Sequence, residues 1–442
     1  MSGGEGEKRL RILLVTHGFP PVLGGTEVLM AELAKELALL GHEVVVTTAD
    51  HLNPRDAMHP FRPRVLREEM TPEGVRVIRF ASARSVAGGF SLVRRVVKKL
   101  GIPMGLPSLL GQFPWMPGAW RYWMTERFDV AFTSCVPMLT ATSLCLLRAA
   151  GLIRYPVILH TAMHPWGENQ LHPDWARRVL AGADHVLTNT RAEEDWLRSD
   201  GLLAAGKPCD VMSPGLSEEA REPGDRRRGR ELMGLADEVP VVLFLGRRSR
   251  EKGYHRVLQA MRDVKTQLPG AELVIAGPAA GVFSSRGPDG NTDLPVFIDA
   301  GQPGMRDKRD IMAAADVLCL PSVADSFGIT YLEAMAQGLA IVALDLPTTR
   351  EVLGEAAVYV AHDGRGPMPL SSGILSVLHD PGMRARLGRA GLRRMQADFW
   401  WETRAHQVSG LIQPHPRVSE ALDESEPHQS GRALPTHRGT SR

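Results

Sequence analysis

The chain has 442 residues, which at about 150 residues per domain predicts two or three domains. Its 52 lysines and arginines nearly balance its 50 aspartates and glutamates, and the formal net charge of +2 gives no indication of a nucleic-acid partner. A hydrophobic fraction of 43% indicates a globular α/β chain, and no run approaches the roughly 18 apolar residues of a membrane-spanning helix.

Cysteine usage and the N-terminus predict a cytoplasmic location. The four cysteines form no C-x-x-C pair, which argues for a reducing compartment and against disulfides or structural zinc. The opening residues, MSGGEGEKR, lack the apolar core that a signal peptide needs.

The first half opens with a βαβ pattern. Residues 10–15 are an apolar run typical of a buried strand, residues 26–40 carry apolar side chains at helical spacing, and residues 42–48 predict the next strand. Gly24 and Gly25 precede the helix, where backbone without side chains can approach a phosphate closely.

A basic amphipathic pattern follows a loop-rich stretch, within residues 91–125. Apolar residues occupy one helical face and basic residues the opposite one, and the latter are Arg94, Arg95, Lys98 and Lys99. A segment rich in Trp, Met, Leu and Pro comes next. Such a combination can lie on an anionic membrane surface, and the alternative is a surface helix with an apolar cluster covering a cleft.

Two histidines follow the strand pattern of residues 156–162. His160 ends this strand, so we expect it to project into a crevice at the strand ends, and the alternative is a hydrogen-bonded core histidine. His164 completes the sequence HTAMH, but the central Glu of H-E-x-x-H is missing and Pro165 ends any helix. A zinc site is therefore not expected.

The second half repeats the strand, loop and helix pattern after a charged, aperiodic stretch at residues 214–230. Residues 241–246 predict a strand, and the loop after it contains Arg247 and Lys252 within G-R-x-x-x-x-K-G. Paired cations at the end of a buried strand can stabilise the negative charge that a departing diphosphate gains.

Residues 321–338 carry the most informative pattern. The apolar run 317–321 predicts a buried strand, Asp325 falls in the following loop, and Phe327, Gly328 and Ile329 lie where a helix should open. Glu333 comes eight positions after Asp325. Free backbone N–H groups and two carboxylates should therefore converge on one crevice, where the carboxylates could accept hydrogen bonds from vicinal hydroxyls.

This stretch, PSVADSFGITYLEAMAQG, resembles the E-x(7)-E signature of family 4 retaining glycosyltransferases, PSxxExFGxxxxEAMAxG, with Asp325 at the position of the first Glu. The sequence FPPVLGGTE resembles the first loop of that family, P-x(2,3)-GG-x-E. PTTREVLG is similar to the family turn GGxPEVV without its glycines, which leaves the acceptor-side loop open.

The resemblance implies an α/β fold of two Rossmann-like domains facing a central cleft, the glycosyltransferase-B architecture. The expected divisions are an N-terminal acceptor domain at 8–213, a linker at 214–230 and a C-terminal donor domain at 231–392. A closing helix at 393–412 should pack back on the first domain, and a polar tail at 413–442 is expected to be disordered.

The resemblance also implies a reaction. A hexose-like unit would move from a nucleoside diphosphate sugar to a hydroxyl of a sugar or lipid-linked acceptor, with retention, in cell-envelope, polysaccharide or glycolipid synthesis. Because no D-x-D motif is present, a metal site is not expected, and no cofactor is expected beyond the donor.

The residue roles implied by the family are as follows. Arg247 and Lys252 would hold the diphosphate, Glu333 the ribose, and Asp325 and His160 the transferred sugar. Backbone amides would complete the anion site near Gly24, Gly25, Phe327, Gly328 and Ile329.

Other classes stay open. A nucleotide-sugar epimerase can share this architecture, and the departures at Asp325 and in PTTREVLG allow a degenerate nucleotide-sugar-binding homologue. A dinucleotide oxidoreductase is disfavoured because no G-x-G-x-x-G follows either leading strand. The sequence identifies neither the base and sugar of the donor nor the acceptor.

Overall fold

Two largely parallel β-sheets, one in each half of the chain, organise the structure. The protein is described by a computed structural model over residues 9–22, 24–50, 67–82, 114–165, 172–278, 297–361 and 370–412. The predicted tail at 413–442 and residues 83–113, which include most of the predicted membrane segment, lie outside these ranges.

The first sheet contains eight strands within the described residues. They are β1 (Arg11–Val15), β2 (Glu43–Ala49), β3 (Glu68–Met70), β4 (Arg76–Phe80), β5 (Val130–Ser134), β6 (Val157–His160), β7 (His185–Thr188) and β8 (Cys209–Val211). Their order is β3-β4-β2-β1-β5-β6-β7-β8, and all neighbours are parallel except the antiparallel pair of β3 and β4.

Helices cover both faces of this sheet. They are α1 (Gly25–Leu39), α2 (Pro117–Thr125), α3 (Leu139–Ala149), α4 (Pro173–Gly182) and α5 (Arg191–Ser199). Alternate residues of β1 join different cores, because Leu13 and Val15 pack in one apolar cluster whereas Ile12 and Leu14 pack in the other. A strand buried on both faces explains the uninterrupted apolar run in its sequence.

The second sheet has six strands in the described part of the chain, and every neighbouring pair is parallel. They are β9 (Val241–Leu245), β10 (Glu272–Ala276), β11 (Ile298–Asp299), β12 (Val317–Leu320), β13 (Ile341–Leu344) and β14 (Ala357–Val360). Their order is β11-β10-β9-β12-β13-β14. The prediction of two Rossmann-like α/β halves is therefore confirmed.

The helices of the second half follow a 3-10 turn at Glu218–Arg221. They are α6 (Arg226–Met233), α7 (Tyr254–Gln267), α8 (Met305–Ala314), α9 (Ile329–Ala336), α10 (Pro347–Leu353), α11 (Leu370–His379), α12 (Pro381–Asp398) and α13 (Trp401–Ile412). Among the described residues, none of the helices is both long enough and apolar enough to cross a bilayer.

The order of strands creates a switch point in each sheet. Strand β1 lies between β2 and β5, and β9 lies between β10 and β12, so successive crossovers leave the central strand in opposite directions. Crevices that bind ligands form at the carboxyl ends of strands at such points. The loops after β9 and β12 are the ones that carry the main predicted site residues.

A helix begins inside the segment that was predicted as a linker. Helix α6 starts at Arg226, and the Asp225 side chain caps it by accepting a hydrogen bond from the Arg228 N–H at 3.1 Å. The Arg228 guanidinium forms ion pairs with Asp307 and Asp310 of α8. Part of the charge in the predicted linker is therefore paired with a neighbouring helix.

The stretch expected to form one closing helix is divided into α12 and α13. The Leu216 N–H donates to the Phe399 carbonyl at 2.9 Å, and the Trp401 N–H donates to the Leu216 carbonyl at 3.3 Å. This short bridge interrupts the helix where the chain returns to the first half. Helix α13 then packs on α1, and its Trp401 and Val408 join the core of the first half.

The close approach of α6 and α8 yields a stability prediction. A Cβ added to Gly229 would collide with the Asp310 backbone carbonyl, so Gly229→Ala should lower the free energy of unfolding by about 1–3 kcal/mol through overpacking. Gly270→Ala is the matched control because a Cβ there meets nothing within 4 Å. Thermal unfolding checks this, and equal melting temperatures for the two variants would contradict the packing described.

Candidate active site

The two loops at the second switch point are joined through their backbones. The Val323 N–H donates to the Glu251 carbonyl at 2.9 Å, and the Ser322 hydroxyl donates to the same carbonyl at 3.2 Å. Gly253 has a φ of 73° and packs against Pro321 so closely that a Cβ would collide with the Pro321 carbonyl. The final Gly of G-R-x-x-x-x-K-G is thus required by this contact.

The joined loops place Lys252 against Asp325. The Lys252 ammonium forms an ion pair with Asp325 Oδ1, and the two side chains are only 20% and 14% exposed. Burial alone would raise the pKa of Asp325, but the Lys252 charge, with smaller contributions from Ser322 and His164, holds it below its usual value. Asp325 is therefore ionised at neutral pH.

Asp325 retains an unused acceptor. Its Oδ2 atom is buried and receives no hydrogen bond from the described residues. A buried carboxylate oxygen without a donor is costly, so a bound molecule with hydroxyl groups could satisfy it.

Glu333 is paired in a similar way. It lies one turn into α9, and its Oε1 forms an ion pair with the Lys308 ammonium of α8. Lys308 carries no signal in the local sequence, because its contact with Glu333 depends on how α8 and α9 pack. The second pair places another carboxylate and another cation beside the start of α9.

The two arginines after β9 point to different environments. Arg247 is exposed, whereas Arg248 is 4% exposed and forms an ion pair with Asp299. The Arg248 guanidinium also lies 5.9 Å from the centre of the Phe297 ring. Arg248 is thus committed to the structure, and Arg247 is the arginine of this pair that faces solvent.

The start of α9 meets the first half of the chain. Gly328 is the N-cap residue with a φ of 90°, a backbone conformation that favours glycine. Phe327 is buried and makes an edge contact with Phe399, with ring centres 5.7 Å apart, so its side chain serves packing. A Cβ on Gly25 would lie 3.5 Å from Ile329 Cδ1, so the two predicted glycine-rich sites face each other across the cleft.

The loop before α1 is supported by a buried carboxylate. His17 Nε2 lies 3.1 Å from Glu27 Oε1, and both side chains are buried. Gly24 is so close to Glu27 that a Cβ would collide with its carboxylate. The absence of a side chain at Gly24 therefore lets the loop lie directly on Glu27.

His160 lies inside the first half and not at the crevice surface. It is 0% exposed, its Nε2 donates to the Met212 carbonyl at 3.2 Å, and its Nδ1 lies 3.0 Å from the Ser134 hydroxyl. Because a carbonyl can only accept, Nε2 carries a proton, and in the neutral ring Nδ1 is then the acceptor for the Ser134 hydroxyl. Burial lowers the pKa of His160 to about 4, consistent with this assignment.

His164 is the histidine that faces the second half. Its charge makes the smallest of the contributions that lower the pKa of Asp325, after those of Lys252 and Ser322. The sequence around His164 suggested only a zinc ligand, and a zinc site was not expected there. Within the described ranges, no group of three or more His, Cys, Asp or Glu side chains is arranged to hold a metal. The loop after β6 has no regular sequence pattern, so the orientation of His164 could not be predicted from it.

Each half of the chain matches a known glycosyltransferase family. Residues 24–215 match the family described as Glycosyl transferase 4-like domain, and residues 225–394 match the family described as Glycosyl transferases group 1. The two matches divide the chain between its two sheets.

Similar proteins of assigned activity extend over most of the chain. A glycogen synthase from Mycobacterium tuberculosis (strain ATCC 25618 / H37Rv) is 27% identical over 462 residues, covering 92% of this chain and 98% of that protein. A D-inositol 3-phosphate glycosyltransferase from Nocardia farcinica is 26% identical over 422 residues, covering 89% and 84%, respectively.

Solved structures share the fold at low sequence identity. HepE from Anabaena, in complex with UDP and glucose, superposes with a TM-score of 0.65 at 17% identity and covers 91% of this chain and 99% of that chain. Sucrose-phosphate synthase from Thermosynechococcus elongatus gives a TM-score of 0.64 at 19% identity, covering 94% and 100%. The chain therefore belongs to the family 4-type glycosyltransferases of the glycosyltransferase-B fold.

Proposed function

We propose that this glycosyltransferase moves a hexose-like unit from a nucleoside diphosphate sugar to an acceptor hydroxyl, with retention at the anomeric carbon. The observation that carries the proposal is the Lys252–Asp325 ion pair. It joins two motifs 73 residues apart at the switch point of the second sheet. A cation and an ionised carboxylate there suit a molecule that combines a diphosphate with sugar hydroxyls.

The similar proteins support a nucleotide-sugar donor. HepE from Anabaena has been solved in complex with UDP, with UDP and glucose, and with UDP-glucose. The relatives include a glycogen synthase and D-inositol 3-phosphate glycosyltransferases. We propose that this chain uses a nucleoside diphosphate hexose and an acceptor that is a sugar or a lipid-linked sugar.

In the proposed reaction the bond between the anomeric carbon and the diphosphate oxygen breaks, and the electron pair leaves with the diphosphate. Arg247 and Lys252 stabilise the charge that develops, as do the backbone N–H groups where α9 begins. Two cationic side chains can perform this task without a metal ion. We therefore propose metal-independent transfer.

The transferred sugar lies between the two halves in this proposal. The unused Oδ2 of Asp325 accepts a hydrogen bond from a sugar hydroxyl, and His164 contacts the sugar from the opposite side. The acceptor oxygen attacks the anomeric carbon on the face that the diphosphate leaves, and its proton passes to the leaving phosphate. The configuration is retained because the new bond forms on the same face.

The nucleoside is held by the second ion pair in this proposal. Glu333 accepts hydrogen bonds from the ribose hydroxyls, and Lys308 fixes the orientation of its carboxylate. Asp325 is shorter than the usual Glu by one C–C bond, about 1.5 Å. We propose that this difference shifts the preference among donor sugars.

Removal of the central cation should abolish most of the activity. With UDP-, GDP- and ADP-hexoses screened as donors, we expect Lys252→Ala to lower kcat by about 10²-fold because transition-state charge on the diphosphate loses its partner. Lys265→Ala is the matched control, since it removes a Lys–Glu pair outside the crevice. Product formation measured with EDTA present tests metal independence in the same assay.

Three outcomes would contradict this assignment. They are near-wild-type turnover by Lys252→Ala, isomerised sugar nucleotide without transfer, and donor binding without transfer across an acceptor panel. NMR of the product's anomeric coupling separately tests retention.

The two histidines should give opposite phenotypes. We expect His164→Ala to lower kcat by about 10²-fold with little change in melting temperature, because it removes a contact made at the reacting sugar. His160→Gln should instead lower the free energy of unfolding by about 1–3 kcal/mol through its buried partners, with kcat of the folded protein nearly unchanged. The reverse pattern would assign the sugar contact to His160.

Membrane contact through residues 91–125 is a separate part of the proposal. Reversing Arg94, Arg95, Lys98 and Lys99 to Glu should weaken binding to anionic vesicles by at least about tenfold, since each basic residue near such a surface contributes about 1 kcal/mol. Co-sedimentation with phosphatidylserine vesicles measures this, with neutral vesicles as the control. Unchanged binding would remove membrane contact from the proposal.

A further inference from the structure

Glu193, a buried carboxylate, fixes the loop that carries His164. It is 2% exposed, and its Oε1 accepts hydrogen bonds from the Thr161 hydroxyl at 2.6 Å and from the Met163 N–H at 2.5 Å. Its Oε2 accepts from the Asn189 N–H at 2.8 Å. One side chain therefore satisfies three donors from two loops of the first half.

The two donors on Oε1 belong to Thr161 and Met163, within the three residues before His164. Because Thr161 and Met163 share one acceptor atom, the backbone between them has little freedom to turn. These two hydrogen bonds therefore restrict the direction in which the backbone leaves toward His164. Burial raises the pKa of Glu193 to about 7, against the opposing effect of these hydrogen bonds.

The helix that carries Glu193 is also bound by the second half of the chain. Glu351, on α10, accepts hydrogen bonds from the Arg191 N–H at 2.6 Å and the Ala192 N–H at 2.8 Å. These are free N–H groups in the first turn of α5, where a carboxylate is favoured. The contact joins residues about 160 positions apart and crosses between the two halves.

Helix α5 thus connects the second half of the chain to the loop that carries His164. At its first turn it is held by Glu351 of the second half, and through Glu193 it holds the loop of His164. His164 in turn lies near enough to Asp325, in the second half, for its charge to lower the pKa of that carboxyl slightly. The same short helix therefore contributes both to the contact between the two halves and to the position of the loop that carries His164.

We propose that Glu351 and Glu193 are positioning residues that act through α5 to hold His164 against the donor sugar at Asp325. This inference rests on the proposed role of His164 in transfer. Neither carboxylate touches the substrate in this account. A purely structural role for both residues would leave catalysis by the folded protein unaffected, so the two interpretations predict different kinetics.

A double-mutant cycle on the full-length enzyme separates them. Glu351→Ala should lower kcat about tenfold or more, because small misplacements of a contact are costly, while the dissociation constant of the donor nucleotide stays unchanged. In the His164→Ala background the same substitution should have almost no further effect. Glu351→Gln, which keeps one acceptor oxygen, should recover part of the rate. Glu355→Ala, an exposed glutamate just after α10, is the control.

Equal losses from Glu351→Ala in the wild-type and His164→Ala backgrounds would overturn the proposal, as would a wild-type rate for Glu351→Ala. A weakened donor affinity with unchanged kcat would also overturn it, since it would place Glu351 in donor binding.

Amide hydrogen exchange tests the contacts of Glu351 and Glu193 without requiring activity, so it separates this inference from the proposed function. If the wild-type enzyme binds no sugar nucleotide, the proposed function fails, and exchange still tests the connection. Glu351→Ala should speed exchange of the Arg191 and Ala192 amides, and Glu193→Gln should speed that of Met163 or Asn189. Unchanged protection in either variant would show that the connection does not exist in solution.

Discussion

The pairing of Lys252 with Asp325 is the interaction on which the candidate site depends. Both residues lie in loops that leave the carboxyl ends of adjacent parallel strands, and those loops are joined by backbone hydrogen bonds and by the contact of Gly253 with Pro321. The fold thus forces a cation and a carboxylate into one half-buried crevice. Because the ammonium keeps Asp325 ionised, the crevice has a fixed positive partner for phosphate and a fixed acceptor for hydroxyl groups.

The first half completes the crevice. Gly25 approaches Ile329, His164 acts on Asp325, and Glu351 reaches across to α5. Helix α13 returns to pack on α1, so the chain crosses between its halves near residue 216 and again near residue 400. In the proposed reaction, the second half supplies the contacts to the donor and the first half supplies groups that face the sugar.

Local sequence patterns predicted the sheets well and the tertiary contacts poorly. The expected strands at 10–15, 241–246 and 317–321 match β1, β9 and β12 to within one residue at each end, because strands buried on both faces need uninterrupted apolar runs. The loop motifs identified Lys252 and Asp325, since switch-point geometry brings such loops together. The high charge of residues 214–230 predicted a linker, and within that stretch Arg228 pairs with α8 and a helix begins at Arg226.

The histidine and its supports could not be predicted from local sequence. His160 ends its strand as expected, but Ser134 and Met212 hold it inside the core, and both partners are distant in the sequence. His164 is directed by Glu193, about 30 residues further along the chain. Thr190 and Glu193 have the T-x-x-E spacing of a capping box. The Thr190 hydroxyl accepts a hydrogen bond from the Glu193 N–H, whereas the Glu193 carboxylate accepts from the loop that precedes His164.

A crystal structure with a bound nucleoside diphosphate hexose tests the central claim most directly. The account predicts diphosphate oxygens within about 3 Å of Lys252 Nζ, at the start of α9, with a sugar hydroxyl donating to Asp325. A diphosphate bound away from the carboxyl ends of β9 and β12, with the Lys252–Asp325 pair untouched, would contradict it.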